Sequence, residues 1–379
     1  MHDAIQPRGY PLGWQDIARR QGIASQPHLF YEGLMGSRRY TLTSACLFVE
    51  MFASAVAAKP WCTVPVAQAH IVLATKPFDL PPADAAPHPL ANVHTGGMPH
   101  RGRWDEVHSA MRDLVLMQRA ALAWRAGAGQ TQYDVAVRLM VAWVETYQPT
   151  LDPIDETSFD MLIDTFAIVR DRLAPADRIR IADRLGKWGW AYVDSIARLA
   201  LPDHSIWINN WQSHRIKLVT MLAVAANDKR LFGEARRLFR LQIAANIHPD
   251  GETLDFAVRD ALHYVVYDLE PLLQAALAAR TFAGEDWYRW ETEDQASLAG
   301  AVTWLMPYAA GQATHEEFVH SQVDFDAERA AAGVKGYKGL FDVQDAASLY
   351  WLAARFDSSL ESLARSLGPE PDQLAMCGN

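Results

Sequence analysis

The sequence has no surplus of positive charge. Its 379 residues contain 35 Lys and Arg against 45 Asp and Glu, which gives a formal net charge of −10. Nucleic-acid binding relies on an excess of cations that displace counterions from phosphates, so this balance argues against such a partner. It does not exclude an acidic sugar polymer, because that ligand needs only a cleft where Arg and Lys side chains converge.

Long apolar runs are also missing, with one exception near the start. From Met35, two arginines precede a mostly apolar stretch that ends in small residues. This layout is typical of a secretory signal with cleavage near Ala57 or Ala58. It predicts a periplasmic or secreted protein, with translation starting at Met35 and residues 1–58 outside the mature chain. A membrane anchor or a buried helix fits less well, because the stretch is too short to span a bilayer and no other segment could.

Cysteine is scarce. Cys46, Cys62 and Cys377 are the three in the chain, and cleavage of the signal would leave the last two, an even number that suits an oxidising compartment. These two either join the ends of the mature chain in a disulfide or remain unpaired thiols. The choice depends on how closely they approach each other.

Patterns of alternating β-strand residues are almost absent. Residues 59–103 hold scattered Pro and His without periodicity, which predicts an extended arm. From Trp104 the apolar residues recur every three or four positions, which predicts an all-α domain over 104–379, built of helical hairpins. The predicted helices are near 104–125, 131–147, 158–172, 176–200, 207–226, 230–247, 257–281, 290–310 and 343–365.

Periodicity alone does not decide how such hairpins pack. A bundle, a solenoid and a closed toroid all remain open. The lack of a motif repeated at fixed spacing counts against a regular solenoid.

One segment that carries chemistry is Asn-Asn-Trp-Gln-Ser-His-Arg, residues 209–215. On a helix that begins near 209, Asn210 and His214 share a face, while the apolar residues that follow turn towards the core. The polar face is then expected to line a cleft. The alternative is an N-cap asparagine followed by a solvated face.

A second segment lies on the helix predicted over 257–281. At about 100° per residue, its apolar residues form one stripe, and Arg259, His263, Tyr264 and Tyr267 spread over the opposite side. A structural helix needs neither imidazole nor phenol on its polar side, so the cluster favours a functional site.

These side chains suit β-elimination next to a carboxylate. In a 1,4-linked uronate polymer, an enzyme must neutralise the carboxylate, remove the weakly acidic C5 proton and protonate the departing O4. Asn, Arg and His serve the first step. His or Tyr serves the other two, provided that a nearby cation such as Arg259 lowers the tyrosine pKa from about 10. No metal or other cofactor is required.

At both segments the chain resembles the alginate lyases of the helical-toroid type, polysaccharide lyase family five and its relatives. The matching motifs are Asn209-Asn210, Ala261-Leu262-His263-Tyr264 and the Pro-Ile-Asp-Glu-Thr run after Asp152, and the similarity extends over roughly residues 104–275. The resemblance implies an (α/α) toroid, lyase activity on an acidic polysaccharide, and Tyr264 as both base and acid.

Two departures from the family pattern bear on the substrate. The family's histidine directly follows its asparagine pair, where this chain has Trp211, and its arginine precedes the tyrosine by seven residues, where this chain has Ala257. His214 and Arg259 are therefore inferred substitutes. The pattern is closer to a sister family that includes glucuronan lyases, so glucuronan stays open beside the preferred substrate, the poly-mannuronate of alginate.

Chemistry and resemblance together define a set of predicted site residues. Asn210 and His214 neutralise the carboxylate, Tyr264 moves the protons, and Arg259 with His263 modulates the charge. The predicted substrate-binding residues are Asn209, Trp211, Arg215, Tyr267, Lys335 and Tyr337, of which the last two lie on a loop that otherwise reads as a solvated turn.

Two other functions remain open. A non-catalytic carbohydrate-binding protein would need aromatic and basic cleft residues but no base, so the combination of His214, His263 and Tyr264 weighs against it. A helical-toroid hydrolase would need two acids that flank the scissile bond. Asp250 and Glu252 are candidates, although Asp-Gly-Glu is also an ordinary turn sequence.

Overall fold

Helices make up the regular structure of this chain. The computed structural model describes residues 79–199 and 205–375, and within these ranges the strand-like features are three isolated β-bridges. The predicted all-α class is therefore confirmed for this part of the chain. None of its helices combines the length and apolarity needed to cross a membrane. The predicted signal over 1–58, Cys62 and Cys377 lie outside the described residues.

The helices are numbered here in chain order. They are α1 (Trp104–Arg125), α2 (Gln130–Thr146), α3 (Pro153–Glu156), α4 (Asp160–Val169), α5 (Pro175–Leu199), α6 (Asn210–Ala226), α7 (Lys229–Asn246), α8 (Leu254–Arg259), α9 (Leu262–Ala283), α10 (Leu298–Ala309), α11 (Asp324–Ala331), α12 (Ala347–Ala353), α13 (Glu361–Leu367) and α14 (Asp372–Ala375). The long helices α1, α2, α5, α6 and α7 begin and end within three residues of their predicted bounds.

Three predicted helices differ from the structure. The helix predicted over 257–281 is divided into α8 and α9, because Asp260 adopts a positive φ of 50°. The helix predicted over 290–310 begins only at Leu298, where Ser297 caps it. The helix predicted over 343–365 is divided into α12 and α13, each preceded by a 3-10 turn. α11 is not among the predicted helices.

α6 is the central helix of the fold. It packs against α4, α5, α7 and α9, and every residue from Gln212 to Ala225 is buried. A helix that is enclosed on all sides has no solvent-facing stripe. The polar face predicted for this helix is therefore inside the protein, except at its N-terminus.

The arm before α1 is fixed against the body of the protein. Arg138 on α2 donates hydrogen bonds of 2.8 to 3.2 Å to the carbonyl oxygens of Ala83 and Ala85. Further along, the backbone amide of Thr95 donates to the Asp155 carboxylate at 2.6 Å. The arm thus ends beside α3.

The break between α8 and α9 depends on a distant loop. The carbonyl oxygen of Asp260 accepts a hydrogen bond of 2.8 Å from the Phe318 amide. The Glu317 carboxylate accepts from the first two backbone amides of α9, at 2.9 and 3.1 Å, and so satisfies donors that a helix N-terminus leaves unpaired. The break places Arg259, at the end of α8, next to Tyr264 in the first turn of α9.

Candidate active site

A cleft of about 840 Å³ is bounded by the arm, the α3 segment, the N-termini of α6 and α9, and α11 with the loop that follows it. Most of the predicted site residues meet there, although they come from separate elements. Those that line the cleft are Asn210, Trp211, Arg259, His263, Tyr264, Tyr267 and Tyr337.

Tyr264 is held between two guanidinium groups. The guanidinium carbon of Arg259 lies 3.4 Å from the centre of the Tyr264 ring, and Nη1 of Arg329 donates to the Tyr264 hydroxyl at 3.4 Å. Both cations favour a phenolate. Burial outweighs them, however, and raises the pKa of Tyr264 above its usual value. Arg259 thus acts in the predicted direction, but the net shift is upward.

Asp326 on α11 fixes the orientation of Arg259. Its fully buried carboxylate accepts from Nε of Arg259 at 3.1 Å and, by a shorter contact, from Nη2. The Ser321 hydroxyl donates to the same carboxylate at 2.6 Å. Such bidentate pairing fixes the plane of the guanidinium. Arg259 therefore lies over the Tyr264 ring with its charge already paired with that of Asp326.

Tyr337 brings a second phenol to the same part of the cleft. Its hydroxyl is 3.0 Å from that of Tyr264, and it accepts a short hydrogen bond from Arg329. Arg329 is a residue that the sequence analysis missed, because it lies on the unpredicted helix α11. The residue predicted to bind substrate thus contacts the predicted base directly.

Asn210 is oriented by a buried acid. Its side-chain amide donates to Oδ1 of Asp255 at 2.5 Å, and its backbone amide donates to Oδ2 at 2.7 Å. Burial raises the pKa of Asp255, although both hydrogen bonds oppose that shift. Asn209, in contrast, is the N-cap of α6, with its side-chain oxygen accepting from the Trp211 amide at 3.0 Å. Asn209 does not line the cleft.

His214 lies behind the cleft wall. Its Nδ1 shares a hydrogen bond of 2.7 Å with the Thr157 hydroxyl, and its ring is 4.4 Å from that of Tyr267. Burial, together with the nearby Lys217, lowers the pKa of His214 well below its usual value. A neutral imidazole behind Thr157 and Tyr267 is poorly placed to neutralise a substrate carboxylate, so its position does not support the predicted role.

Two predicted substrate-binding residues also lie away from the cleft. Arg215 is buried, with its guanidinium carbon 4.1 Å from the centre of a Trp207 ring, and burial lowers its pKa to about 10. The Lys335 side chain is 88% exposed and lies 4.0 Å from Asp342. The acids considered for a hydrolase, Asp250 and Glu252, are outside the cleft as well.

His263 stands at the edge of the phenol pair. Its ring meets the Tyr264 ring edge-on, with the centroids 5.4 Å apart. Burial lowers the pKa of His263, which favours a neutral imidazole that can either donate or accept a hydrogen bond.

The arm supplies cleft residues that the sequence analysis did not identify. His94, Thr95 and the Gly96-Gly97 pair line the cleft, and Nδ1 of His94 lies 3.0 Å from the buried carboxylate of Asp155. The detectable signal was the glycine pair beside histidines in a stretch without periodicity. Within residues 79–199 and 205–375, no three His, Cys, Asp or Glu side chains converge as a metal site requires.

Glu156 anchors the α3 segment from below. It is completely buried. It accepts hydrogen bonds from the Tyr147, Thr150 and Tyr192 hydroxyls, the Trp188 indole, and the backbone amides of Thr150 and Leu151. In the matched Pro-Ile-Asp-Glu-Thr run, Glu156 is therefore a buried structural residue, and its neighbours Asp155 and Thr157 line the cleft.

An all-helical protein whose cleft combines phenols, guanidinium groups and an oriented amide fits the class of helical polysaccharide lyases. The alginate lyase family model matches residues 60–315, which is more than half of the chain. The chain therefore belongs to the alginate lyase family and is a polysaccharide lyase. The match favours the alginate type over the glucuronan alternative.

Solved structures of alginate lyases share the fold. The enzyme from Bacteroides ovatus aligns with a TM-score of 0.55 at 15% identity, covering 82% of this chain and 91% of that one. Alginate lyase A1-III from Sphingomonas species A1 gives 0.58 at 15% identity, with coverages of 87% and 99%. A variant of A1-III complexed with a tetrasaccharide gives 0.56 at 16% identity, with coverages of 84% and 98%. This likeness confirms the predicted helical toroid. A comparison with curated proteins gave no significant match.

Proposed function

We propose that this lyase cleaves the poly-mannuronate stretches of alginate by β-elimination in the cleft, with Tyr264 as the base. The observation that carries the proposal is the position of the Tyr264 hydroxyl, which lies in the cleft with Arg259 over its ring and Arg329 at its oxygen. The two cations lower the cost of placing negative charge on this phenol, while burial keeps its pKa above the usual value.

The substrate carboxylate requires neutral or positive partners before the C5 proton becomes acidic. Asn210 is a candidate, because Asp255 holds its amide at the cleft wall. His263 is a second candidate, because its low pKa favours an imidazole that can donate a hydrogen bond beside Tyr264. Trp211 and Tyr267 offer apolar faces on which sugar rings stack.

Stereochemistry favours mannuronate over guluronate. In mannuronate the C5 proton and O4 leave from the same face of the sugar, so phenols on one side serve both steps. Guluronate would require proton removal from the opposite face. Glucuronate shares the mannuronate arrangement, which is why glucuronan belongs in the test.

The experiment is incubation with poly-mannuronate, poly-guluronate and glucuronan while the ultraviolet absorbance of an unsaturated uronate end is followed. We expect the fastest increase with poly-mannuronate. New reducing ends without this absorbance would indicate hydrolysis and contradict the proposal. Faster cleavage of glucuronan would leave elimination intact but overturn the substrate assignment.

Tyr264→Phe tests the base within the same assay. The variant removes one hydroxyl, so we expect the elimination rate to fall by roughly 10²-fold or more with little change in melting temperature. Tyr133→Phe is the matched control, because Tyr133 packs against Trp124 outside the cleft. Near-normal activity of Tyr264→Phe would move the base elsewhere.

We also propose that the protein is exported. The support is the charged, apolar and small-residue pattern between Met35 and Ala58 in the sequence. Mass spectrometry of the protein expressed in a bacterium should find an N-terminus near residue 58 in the extracytoplasmic fraction. Retention of residues 35–58 in the cytoplasm would contradict export.

A further inference from the structure

The hydroxyls of Tyr264 and Tyr337 form a pair at the cleft wall. Their oxygens are 3.0 Å apart although the residues are 73 positions apart in the sequence. Both residues line the cleft. The two hydroxyl oxygens can therefore share one proton and one negative charge across their hydrogen bond.

One segment holds both phenols in place. The Phe318 ring stacks on Tyr337 with centroids 4.9 Å apart, and meets Tyr264 edge-on at 5.9 Å. The adjacent Glu317 caps the helix that carries Tyr264. The Glu317 amide also donates, at 2.8 Å, to the carbonyl of Gly339 just after Tyr337. Support of this kind fixes the separation of two reacting groups.

The surrounding cations reduce the cost of placing one negative charge on the pair. Arg329 donates to both hydroxyl oxygens, at 3.4 Å to Tyr264 and by a much shorter contact to Tyr337, and a guanidinium can only donate. Tyr264 has Arg259 over its ring as a second cation, an influence that Asp326 reduces by pairing with Arg259. Arg329 thus stabilises a negative charge on either oxygen, and Arg259 adds a second cation at Tyr264, although burial raises the pKa of that phenol. The proposed function makes Tyr264 the base, which leaves Tyr337 as the proton donor.

From this geometry, and resting on the proposed function, we propose that Tyr264 and Tyr337 divide the work of base and acid in the elimination. The Tyr264 phenolate takes the C5 proton, the C4=C5 double bond forms, and the C4–O4 bond breaks. The Tyr337 hydroxyl gives its proton to the departing O4. C4 and C5 are adjacent, so two oxygens about 3 Å apart can each reach one of the reacting atoms.

The pair is then reset without a proton from solvent. After the elimination Tyr264 carries a proton and Tyr337 carries the negative charge, which Arg329 continues to contact. Transfer of the proton from Tyr264 to Tyr337 across their hydrogen bond restores the starting state. The pair holds one proton before and after the cycle, and the substrate's C5 proton replaces the one given to O4.

A mannuronate derivative with fluoride on C4 separates the two roles, because fluoride leaves without being protonated. Activity of the full chain is measured on poly-mannuronate by the absorbance of the conjugated double bond, and on the derivative by fluoride release. The variants are Tyr337→Phe and Tyr264→Phe, which each remove one hydroxyl. Tyr133→Phe on α2 is the control, and the melting temperature of each variant verifies folding.

We expect Tyr337→Phe to lose roughly 10²- to 10⁴-fold on the polymer while fluoride release stays within about tenfold of the parent. Tyr264→Phe should lose both activities. Three results would each overturn the division of roles. Tyr337→Phe could be impaired equally on both substrates, or it could keep full activity on the polymer. Tyr264→Phe could retain activity on the C4-fluoro derivative. If the parent protein produces no unsaturated end from any uronate polymer, the proposed function itself has failed, and the division of roles fails with it.

Discussion

Replacement of Glu156 by Gln tests how the cleft rim is supported. The carboxylate accepts from six donors in a completely buried site, four from side chains and two from backbone amides. Glutamine keeps one oxygen and turns the other acceptor into a donor. If the new NH₂ faces Trp188, the indole N–H, which can only donate, loses its acceptor. If it faces Thr150, two backbone N–H groups lose theirs.

The magnitude follows from these contacts. Each hydrogen bond to a charged acceptor contributes about 1.5–3 kcal/mol, against about 0.5–1.5 kcal/mol for a neutral one. An unsatisfied buried donor costs about 1–3 kcal/mol more. One orphaned donor together with weakened bonds to the retained oxygen gives a loss of at least about 3 kcal/mol in the free energy of unfolding for Glu156→Gln.

The assay is urea unfolding followed by tryptophan fluorescence. Glu145→Gln is the matched control, because the Glu145 side chain is 57% exposed and pairs with Arg180 at the surface, where such pairs contribute about 0–1 kcal/mol. A loss below about 1 kcal/mol for Glu156→Gln would refute the reasoning. It would mean that the six donors find other partners without the carboxylate.

Three further predictions concern other parts of the structure. Gly251→Ala should lower the free energy of unfolding by at least about 2 kcal/mol in urea titrations, since φ is +95° and an added Cβ would lie 2.6 Å from the Gly300 carbonyl oxygen; a neutral result would show that the turn relaxes. Asp326→Asn should cost about 3–5 kcal/mol and reduce activity, because it leaves Arg259 without its buried partner; unchanged activity would show that Arg259 is positioned by other contacts. Burial raises the pKa of Glu317 to about 7, so the stability it contributes is complete below its unfolded pKa near 4.3 and is lost as pH rises through 7. Glu317→Gln should therefore flatten that decline by about 1.4 kcal/mol per pH unit, and parallel stability curves for parent and variant would contradict the assignment.

The long helices could be predicted because their apolar spacing is local information. α1, α2, α5 and α7 follow from the three-and-four repeat of their apolar residues, and Asp228 caps α7 in the structure. The position of α6 was predicted, but its burial was not. Helices surround it on all sides, so the four-residue spacing of Asn210 and His214 does not place both of them on an open wall.

The site was most readily predicted where its residues share one helix. His263, Tyr264 and Tyr267 share one helix, and all three line the cleft. Arg329 and Asp326 could not be found in this way, because their contacts with Tyr264 and Arg259 span 65 and 67 residues. Their helix is short and has a single buried residue, so its sequence carries little periodic signal.

The left-handed residue Asp260 has a consequence for how motifs in this family are compared. On one continuous helix, five residues correspond to a rotation of about 140° beyond a full turn, which would turn Arg259 away from Tyr264. The break removes this constraint, and the guanidinium lies on the ring instead. Across such a break, the number of residues between an arginine and a tyrosine therefore does not determine whether their side chains meet. An alignment that demands equal spacing would place Ala257 at the position of the family's arginine. It would overlook Arg259, whose guanidinium lies on the Tyr264 ring.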